Sequence, residues 1–430
     1  MIFILFIGIL FLFILSFFLF KKNILNPSVV ICSVFLVSLL FSILNINNWN
    51  LKFNLETVLI VLYSLIVFIL GNTLVIVLKM KNINIFEETE IRKGSFYLHF
   101  LVMILLSLLI IPYFKGTYQL SIIGGNPGGY DKMLMYTRKA KLSFYNIGKF
   151  NTLSLYLARA VSYISIYIFS HVTIFKGFKF KNLYLLMPTI IYSIFLILTT
   201  GRNYFIYLTA YILVIYFTLF QRKYKFNKKL YKTIIVYGIV GLTLFIIIFL
   251  AAGFLTGKTQ RRGVFEEISL YVGSSIPALN LYMENERIAP ELFGQNTLFR
   301  IYNILRKLGY SIPQLYAPFE FVNLNERLTT NIYTGIRRYY QDFGFIGLTV
   351  MMYFLGAFYG IFFHIVCYAK KSRFKMILYA TFCYPIFEFV IEERFFMTLF
   401  PTEMFYNMIF LGVVYYFYVY RISLKKYKSK

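Results

Sequence analysis

Arginine is the side chain best suited to holding a phosphate or diphosphate, because its planar guanidinium presents a fork of N–H donors and stays charged at any physiological pH. In this chain the arginines that could do so fall at the ends of long apolar runs. Arg202 lies in the turn Thr199-Thr200-Gly201-Arg202-Asn203 between two such runs. Lys258, Arg261 and Arg262 follow directly on a third in TGKTQRRG, and Arg337 and Arg338 directly precede a fourth, with Asp342 shortly after them. Each is ordinary on its own. Arg202 reads as a cap snorkelling to lipid phosphate, the TGKTQRRG cations as a solvated charge run, and Arg338 with Asp342 as an i,i+4 pair if a helix starts there. Together, gathered at the ends of different runs on one membrane face, they point to an anion site.

The polar segment 255–341 carries ten of the 44 Lys and Arg residues and should hold the chemistry. Tyr271, Asn280, Tyr282, Asn323, Asn325, Asn331, Tyr333, Tyr339 and Tyr340 are the residue types of a sugar-binding surface. Aromatic faces cover sugar C–H groups while amides bind hydroxyls. The anion to be met at that depth is a lipid-linked diphosphate, its isoprenoid tail among apolar helices and its head group in the loops.

Other chemistries find no support in the residues. Asp131 and Asp342 are the two aspartates of the chain, and no Walker loop, G-x-G-x-x-G or D-x-D pair occurs, so neither a metal site nor any other cofactor is expected. Cys32, Cys367 and Cys383 lie within or at the ends of apolar runs and form no disulfide or metal framework. His99, His171 and His364 are dispersed near run ends and read as packing residues. The net charge of +27 calls for no nucleic acid. Much of it is topology signal, and juxtamembrane lysines also sit well against anionic membrane lipids.

The elements that must position these residues are membrane spans. A 430-residue chain that is 59% apolar and 21% aromatic, in long runs, reads as an all-α integral membrane protein. About eleven runs are long enough to cross roughly 30 Å of hydrocarbon: 2–20, 28–44, 57–78, 97–114, 153–174, 183–200, 204–220, 234–254, 343–367, 376–391 and 399–420. The first lacks a small-residue cleavage site and is expected to be a retained anchor. Lys- and Arg-dense short loops alternate along the chain, which puts the amino terminus outside, the carboxyl terminus inside and both long loops, 115–151 and 255–341, outside. The organisation expected is therefore spans one to eight over 1–254, one large extracytoplasmic loop over 255–341, and spans nine to eleven with a cytoplasmic tail over 342–430. Within 130–150, Met133, Leu134, Met135, Leu142 and Phe144 alternate with Arg138, Lys139, Lys141 and Lys149, the pattern of an interfacial helix. Glu388, beside Glu392, Glu393 and Arg394, is a secondary candidate near a span end.

Three segments resemble the Wzy-type oligosaccharide repeat-unit polymerases of bacterial O-antigen and capsule assembly: TTGRNYFIYLTAYILV at 199–214, YVGSSIPALNLYM at 271–283 and NIYTGIRRYYQDFGFIGLTVMMYFLGAFYG at 331–360. In the last, Asn331, Tyr333, Thr334, Arg337, Tyr340, Asp342, Gly344 and Gly347 carry the likeness. The resemblance implies a GT-C-like fold in a bacterial cytoplasmic membrane and block transfer of a growing glycan from undecaprenyl diphosphate to a new lipid-linked repeat unit. No nucleotide is needed, because the donor linkage is itself activated. It also implies that Arg202, Arg261, Arg262 and Arg337 hold the two diphosphates, with Lys258 and Arg338 beside them. Asp342 is the first candidate for the general base, with Glu320 and Glu326 as alternatives. A chain-length regulator and a flippase are the protein partners such a polymerase implies. An O-antigen ligase would use the same donor with another acceptor. A flippase or exporter would carry polar residues through its spans, whereas here charge avoids the span centres.

Overall fold

A computed structural model describes residues 1–78, 96–143, 145–201, 203–224, 263–284, 290–315, 320–326, 328–368, 373–399 and 402–420. The expected span at 234–254 and four of the candidate cations, Arg202, Lys258, Arg261 and Arg262, lie outside these described residues. The chain divides into two compact units built from interleaved stretches. The first comprises Met1–Ile83, Arg262–Ala369 and Phe382–Met404, the second Asn84–Arg261, Lys370–Thr381 and Phe405–Lys430.

Among the described residues eight helices are long and apolar enough to cross a membrane, and a single two-stranded hairpin is the one sheet. The protein is an all-α integral membrane protein. In the first unit α1 (Ile2–Leu19), α2 (Pro27–Leu44) and α3 (Leu55–Val77) follow the sequence expectation within a few residues. Their starts are chemically marked. Asn26 caps α2 by accepting from Ser28 N at 3.0 Å, with Pro27 in the first turn, and Asn54 caps α3 by accepting from Thr57 N at 2.7 Å.

In the second unit α4 (Phe96–Ile123) runs well past the expected end at 114, and α5 (Met133–Leu142) folds back on it. There follow α6 (Lys149–Lys176), a 3₁₀ turn Phe180–Leu186 leading into α7 (Met187–Leu198), and α8 (Asn203–Tyr224).

Segment 263–341 is not an open loop. Its first part forms α9 (Val264–Gly273) and α10 (Ser275–Glu284), which pack on α2. Ser42 Oγ donates to Gly273 O at 2.7 Å, and Ser38 and Ser275 hydroxyls lie 3.2 Å apart. After α11 (Phe299–Lys307) come β1 (Val322–Asn323) and β2 (Thr329–Thr330), paired antiparallel with Val322 opposite Thr330. Leu324 and Leu328 of that hairpin pack with Leu270 and Trp49, the one tryptophan, so a small apolar cluster ties the hairpin to α9 and to the turn that follows α2.

The ninth expected span is α12 (Gly335–Tyr368), and it starts eight residues before 343. It is interrupted at Gly344, where φ is 62° and ψ −162°, a conformation only glycine adopts without strain. A short helix carrying Arg337, Arg338 and Asp342 thus precedes the stretch 345–368, which at about 1.5 Å per residue is about 36 Å long and sufficient to cross. The tenth expected span is corrected. Over 376–391 the chain forms α13 (Arg373–Phe382) and a five-residue α14 (Tyr384–Glu388), because Pro385 has no N–H to continue the first helix and its ring would clash with the preceding turn. Then come α15 (Phe395–Leu399) and α16 (Thr402–Tyr415), which continues into a wider turn at Tyr416–Tyr420.

The most extensive packing in the first unit is of α3 on α12. Added methyl groups would drive Gly71 into the Tyr353 carbonyl and Gly356 into the Phe68 carbonyl, so the two backbones touch at reciprocal glycines. Gly356→Val should force α3 and α12 apart and cost about 1–3 kcal/mol or more, read as a lower melting temperature of purified protein. A melting temperature equal to wild type would show that the close approach is dispensable.

Candidate functional site

The site takes shape where α12 begins. Arg337 is in the first turn of that helix and is 1% exposed, an unusual setting for a guanidinium. Two tyrosine rings enclose it, Tyr333 with its centroid 3.7 Å from the guanidinium carbon and Tyr282, from α10, at 4.6 Å. Its Nη2 pairs with the carboxylate of Glu320, whose side chain is 41% exposed, and Arg338 Nη1 lies 3.9 Å from the same carboxylate. Nε and Nη1 of Arg337 are buried and have no hydrogen-bond partner among the described residues. Burial pushes the Tyr333 phenol up to about 12 against the opposing pull of Arg338, so its hydroxyl stays protonated at physiological pH.

Two arginines and no acid occupy the first turn of α12, where the helix dipole already concentrates positive charge. The local field is therefore cationic twice over, and Glu320 shows where an anion rests in it. The start of the helix is held from behind. Gly335 N donates to Phe389 O at 2.7 Å, and an added methyl at Gly335 would enter the Phe389 ring. Tyr339 OH donates to the buried Glu393 at 3.0 Å, and Glu393 also accepts from Phe396 N at 2.9 Å and Met397 N at 3.3 Å. Arg394 bridges Glu388, at 3.4 Å, and Glu392, at 2.6 Å, so the acidic group near the tenth run belongs to this scaffold.

Several expected site residues make contacts within the fold. The oxygens of Asp342 accept from Asn296 N at 3.2 Å, Asn296 Nδ2 at 2.8 Å and Thr297 N at 2.5 Å. With three donors engaged, Asp342 pins segment 290–298 to α12 and is poorly placed to take a proton. Asn280 uses its whole amide, accepting from Asn54 N at 2.9 Å and donating to Lys52 O at 2.9 Å and Glu284 at 2.8 Å. Tyr339 is fully buried and cannot face a glycan. Tyr282 and Tyr340 are half-buried, while Asn331 and Glu326 are exposed. Among the described residues no group of His, Cys, Asp and Glu is arranged to hold a metal ion.

The second unit holds a residue that the sequence reading passes over. Arg159 stands inside α6, an exception to the expectation that charge avoids the spans, and is 7% exposed. Its Nε donates to Tyr192 OH at 3.1 Å. Lys141 of α5 directs its Nζ onto Thr199 O at 2.7 Å, and burial lowers its pKa to about 8.

Fold and site together describe a multi-pass membrane protein with an aromatic-walled, doubly cationic site at a broken helix start. No protein-family model and no solved structure matches the chain. It is similar to an O-antigen polymerase of Shigella dysenteriae, with 23% identity over 222 residues, covering 51% of this chain and 53% of that protein. The chain thus spans about half the length of the curated relative it matches.

Glu393 gives a pH test of the scaffold. Burial raises its carboxyl to about 7 in the fold from an ordinary 4.5, against the hydrogen bonds that favour the carboxylate. The protonated form is thus favoured by folding. Its contribution to stability is fully present below 4.5 and lost as pH rises through about 7. The melting temperature should fall across that window, and Glu393→Gln should flatten the fall. Equal slopes for the two proteins would remove Glu393 as the source.

Proposed function

We propose that this chain is a membrane glycosyltransferase that polymerises undecaprenyl-diphosphate-linked oligosaccharide repeat units at the outer face of a bacterial cytoplasmic membrane. The observation that carries the reading is the buried Arg337 between Tyr282 and Tyr333, with Arg338 beside it, in a chain similar to an O-antigen polymerase. Fixed guanidinium groups in a water-poor setting stabilise the charge that grows on a departing diphosphate. The acceptor hydroxyl oxygen attacks the anomeric carbon of the donor glycan, the bond from that carbon to the diphosphate oxygen breaks, and undecaprenyl diphosphate leaves with the electron pair. Glu320 is the partly exposed carboxylate beside both arginines and takes the proton of the acceptor hydroxyl. Tyr340 and Asn331, with the edge of Tyr282, supply sugar contacts. Arg202, Lys258, Arg261 and Arg262 are assigned to the remaining phosphate contacts on the ground of residue type and sequence position.

Purified protein given undecaprenyl-diphosphate-linked repeat units alone, without nucleotide, should produce a ladder of lipid-linked oligomers and release undecaprenyl diphosphate. A ligase would leave single units intact until offered a different terminal acceptor, and a flippase would move the lipid without changing its mass. Arg337→Lys keeps the charge but loses the fork, and should cut the rate at least about tenfold, roughly 1.4 kcal/mol in barrier. Glu320→Gln should abolish the ladder while donor lipid still binds. A fully active Glu320→Gln enzyme would return the base role to Asp342 or Glu326.

The orientation has its own check. Cys32, Cys367 and Cys383 are buried, so a cysteine placed at the exposed Ser311 should be the main site of reaction with an impermeant maleimide in intact spheroplasts. Labelling that needs membrane disruption would put segment 263–341 on the cytoplasmic side and defeat the reading.

A further inference from the structure

Segment 292–319 carries Arg300, Arg306 and Lys307 and no aspartate or glutamate. Its helix α11 (Phe299–Lys307) sorts its residues by face. At 3.6 residues per turn Phe299, Asn303 and Arg306 fall on one side, while Ile301, Ile304 and Leu305, with Leu308 just past the helix end, fall on another. The first side is the one that meets protein. Phe299 is buried, Asn303 Nδ2 donates to Leu315 O at 2.7 Å, Asn303 Oδ1 accepts from Leu315 N at 3.2 Å, and Arg306 Nη2 donates to Gln314 Oε1 at 3.1 Å. The chain thus returns along the polar side of the helix. Ile301, Ile304 and Leu305 are left half-buried and Leu308 is 71% exposed, so the fold does not seal the aliphatic stripe. A helix packed on a water-soluble core turns its apolar stripe the other way.

The depth of that stripe is set by what precedes it. Asp342 accepts from the backbone of Asn296 and Thr297, the rings of Phe293 and Phe343 lie 4.9 Å apart, and α11 also packs on α15. Asp342 and Phe343 come directly before the break at Gly344 and the stretch 345–368 that is long enough to cross. The helix therefore starts at the level where hydrocarbon begins. Arg300 and Lys307 are exposed and seven positions apart, so they line one edge of the stripe. Cations beside an aliphatic stripe at that level suit phospholipid on both counts, with acyl chains against the stripe and anionic head groups against the charge. The membrane is already there, whereas a protein partner would first have to displace it.

We propose that α11 lies in the plane of the membrane surface, with Ile301, Ile304, Leu305 and Leu308 in the leaflet and Arg300 and Lys307 on the head groups of anionic phospholipid. Its docking ties the chain that leads on to Glu320 to head-group level, beside the arginine pair. This attachment depends on the membrane fold and not on the reaction catalysed.

Quenching of a fluorophore by lipid and by water-borne ions tests the docking. The full chain, whose own three cysteines are buried, is labelled at Ile304→Cys, Leu308→Cys or Ser311→Cys and placed in nanodiscs of phosphatidylcholine and phosphatidylglycerol. Probes at 304 and 308 should be quenched by lipid bearing a nitroxide high on its acyl chain and shielded from iodide. The probe at 311, beyond the stripe, should show the reverse. Should Ile304→Cys fail to accumulate, the exposed Leu308 decides the matter. A probe at 308 that iodide reaches as readily as one at 311 would overturn the docking, and so would one shielded from both quenchers, which would place a second copy or another protein on the stripe. Moving the nitroxide from phosphatidylcholine to phosphatidylglycerol at equal content should raise quenching at 308 by at least about twofold, and Arg300→Gln with Lys307→Gln should remove the difference. Equal quenching by the two lipids in the protein with both cations intact would defeat the assignment of anionic head groups.

Discussion

The burial of a guanidinium at the start of α12 is the constraint around which the first unit is arranged. A charge with 1% exposure costs several kcal/mol of solvation unless rings, dipoles and an anion replace the water. Tyr333 and Tyr282 supply the rings, and Glu320 supplies an anion from a stretch of chain that is partly exposed. The first turn of the helix adds the positive end of its dipole instead of relieving it. A carboxylate on a partly exposed segment is a replaceable partner for such a pair of arginines. A diphosphate brings more charge and more acceptor oxygens to the same place, which is the direction in which exchange between the two is favourable.

What keeps that arrangement from relaxing is rigid packing at some distance from it. Reciprocal glycines let α3 and α12 touch, and the kink at Gly344 turns the short helix out of line with the long one. Behind it, Tyr339 is bonded to Glu393 and Gly335 is seated on Phe389. To one side, Asp342 holds the backbone of Asn296 and Thr297. The side chains that most resemble catalytic or glycan-binding groups by type are thus the ones that fix the geometry, and the groups left with exposed surface are fewer than residue types alone imply.

Much of the fold was legible in the sequence because hydropathy and length are nearly sufficient for membrane helices. The runs at 2–20, 28–44 and 57–78 became α1 to α3 with shifts of a few residues. The run at 376–391 did not become one helix, since a window average records Pro385 as one residue of low hydropathy and not as a missing donor. At the site, Arg337 and Arg338 could be picked out because they interrupt apolar sequence beside a span. Residue type says nothing of burial, and the burial of Asn280 and Tyr339, each bonded to a partner more than fifty residues away in sequence, was not legible there. Arg159 was passed over for the same arithmetic reason as Pro385, one cation in a long apolar run barely lowering its average, although a single charge inside a span was the signal to follow.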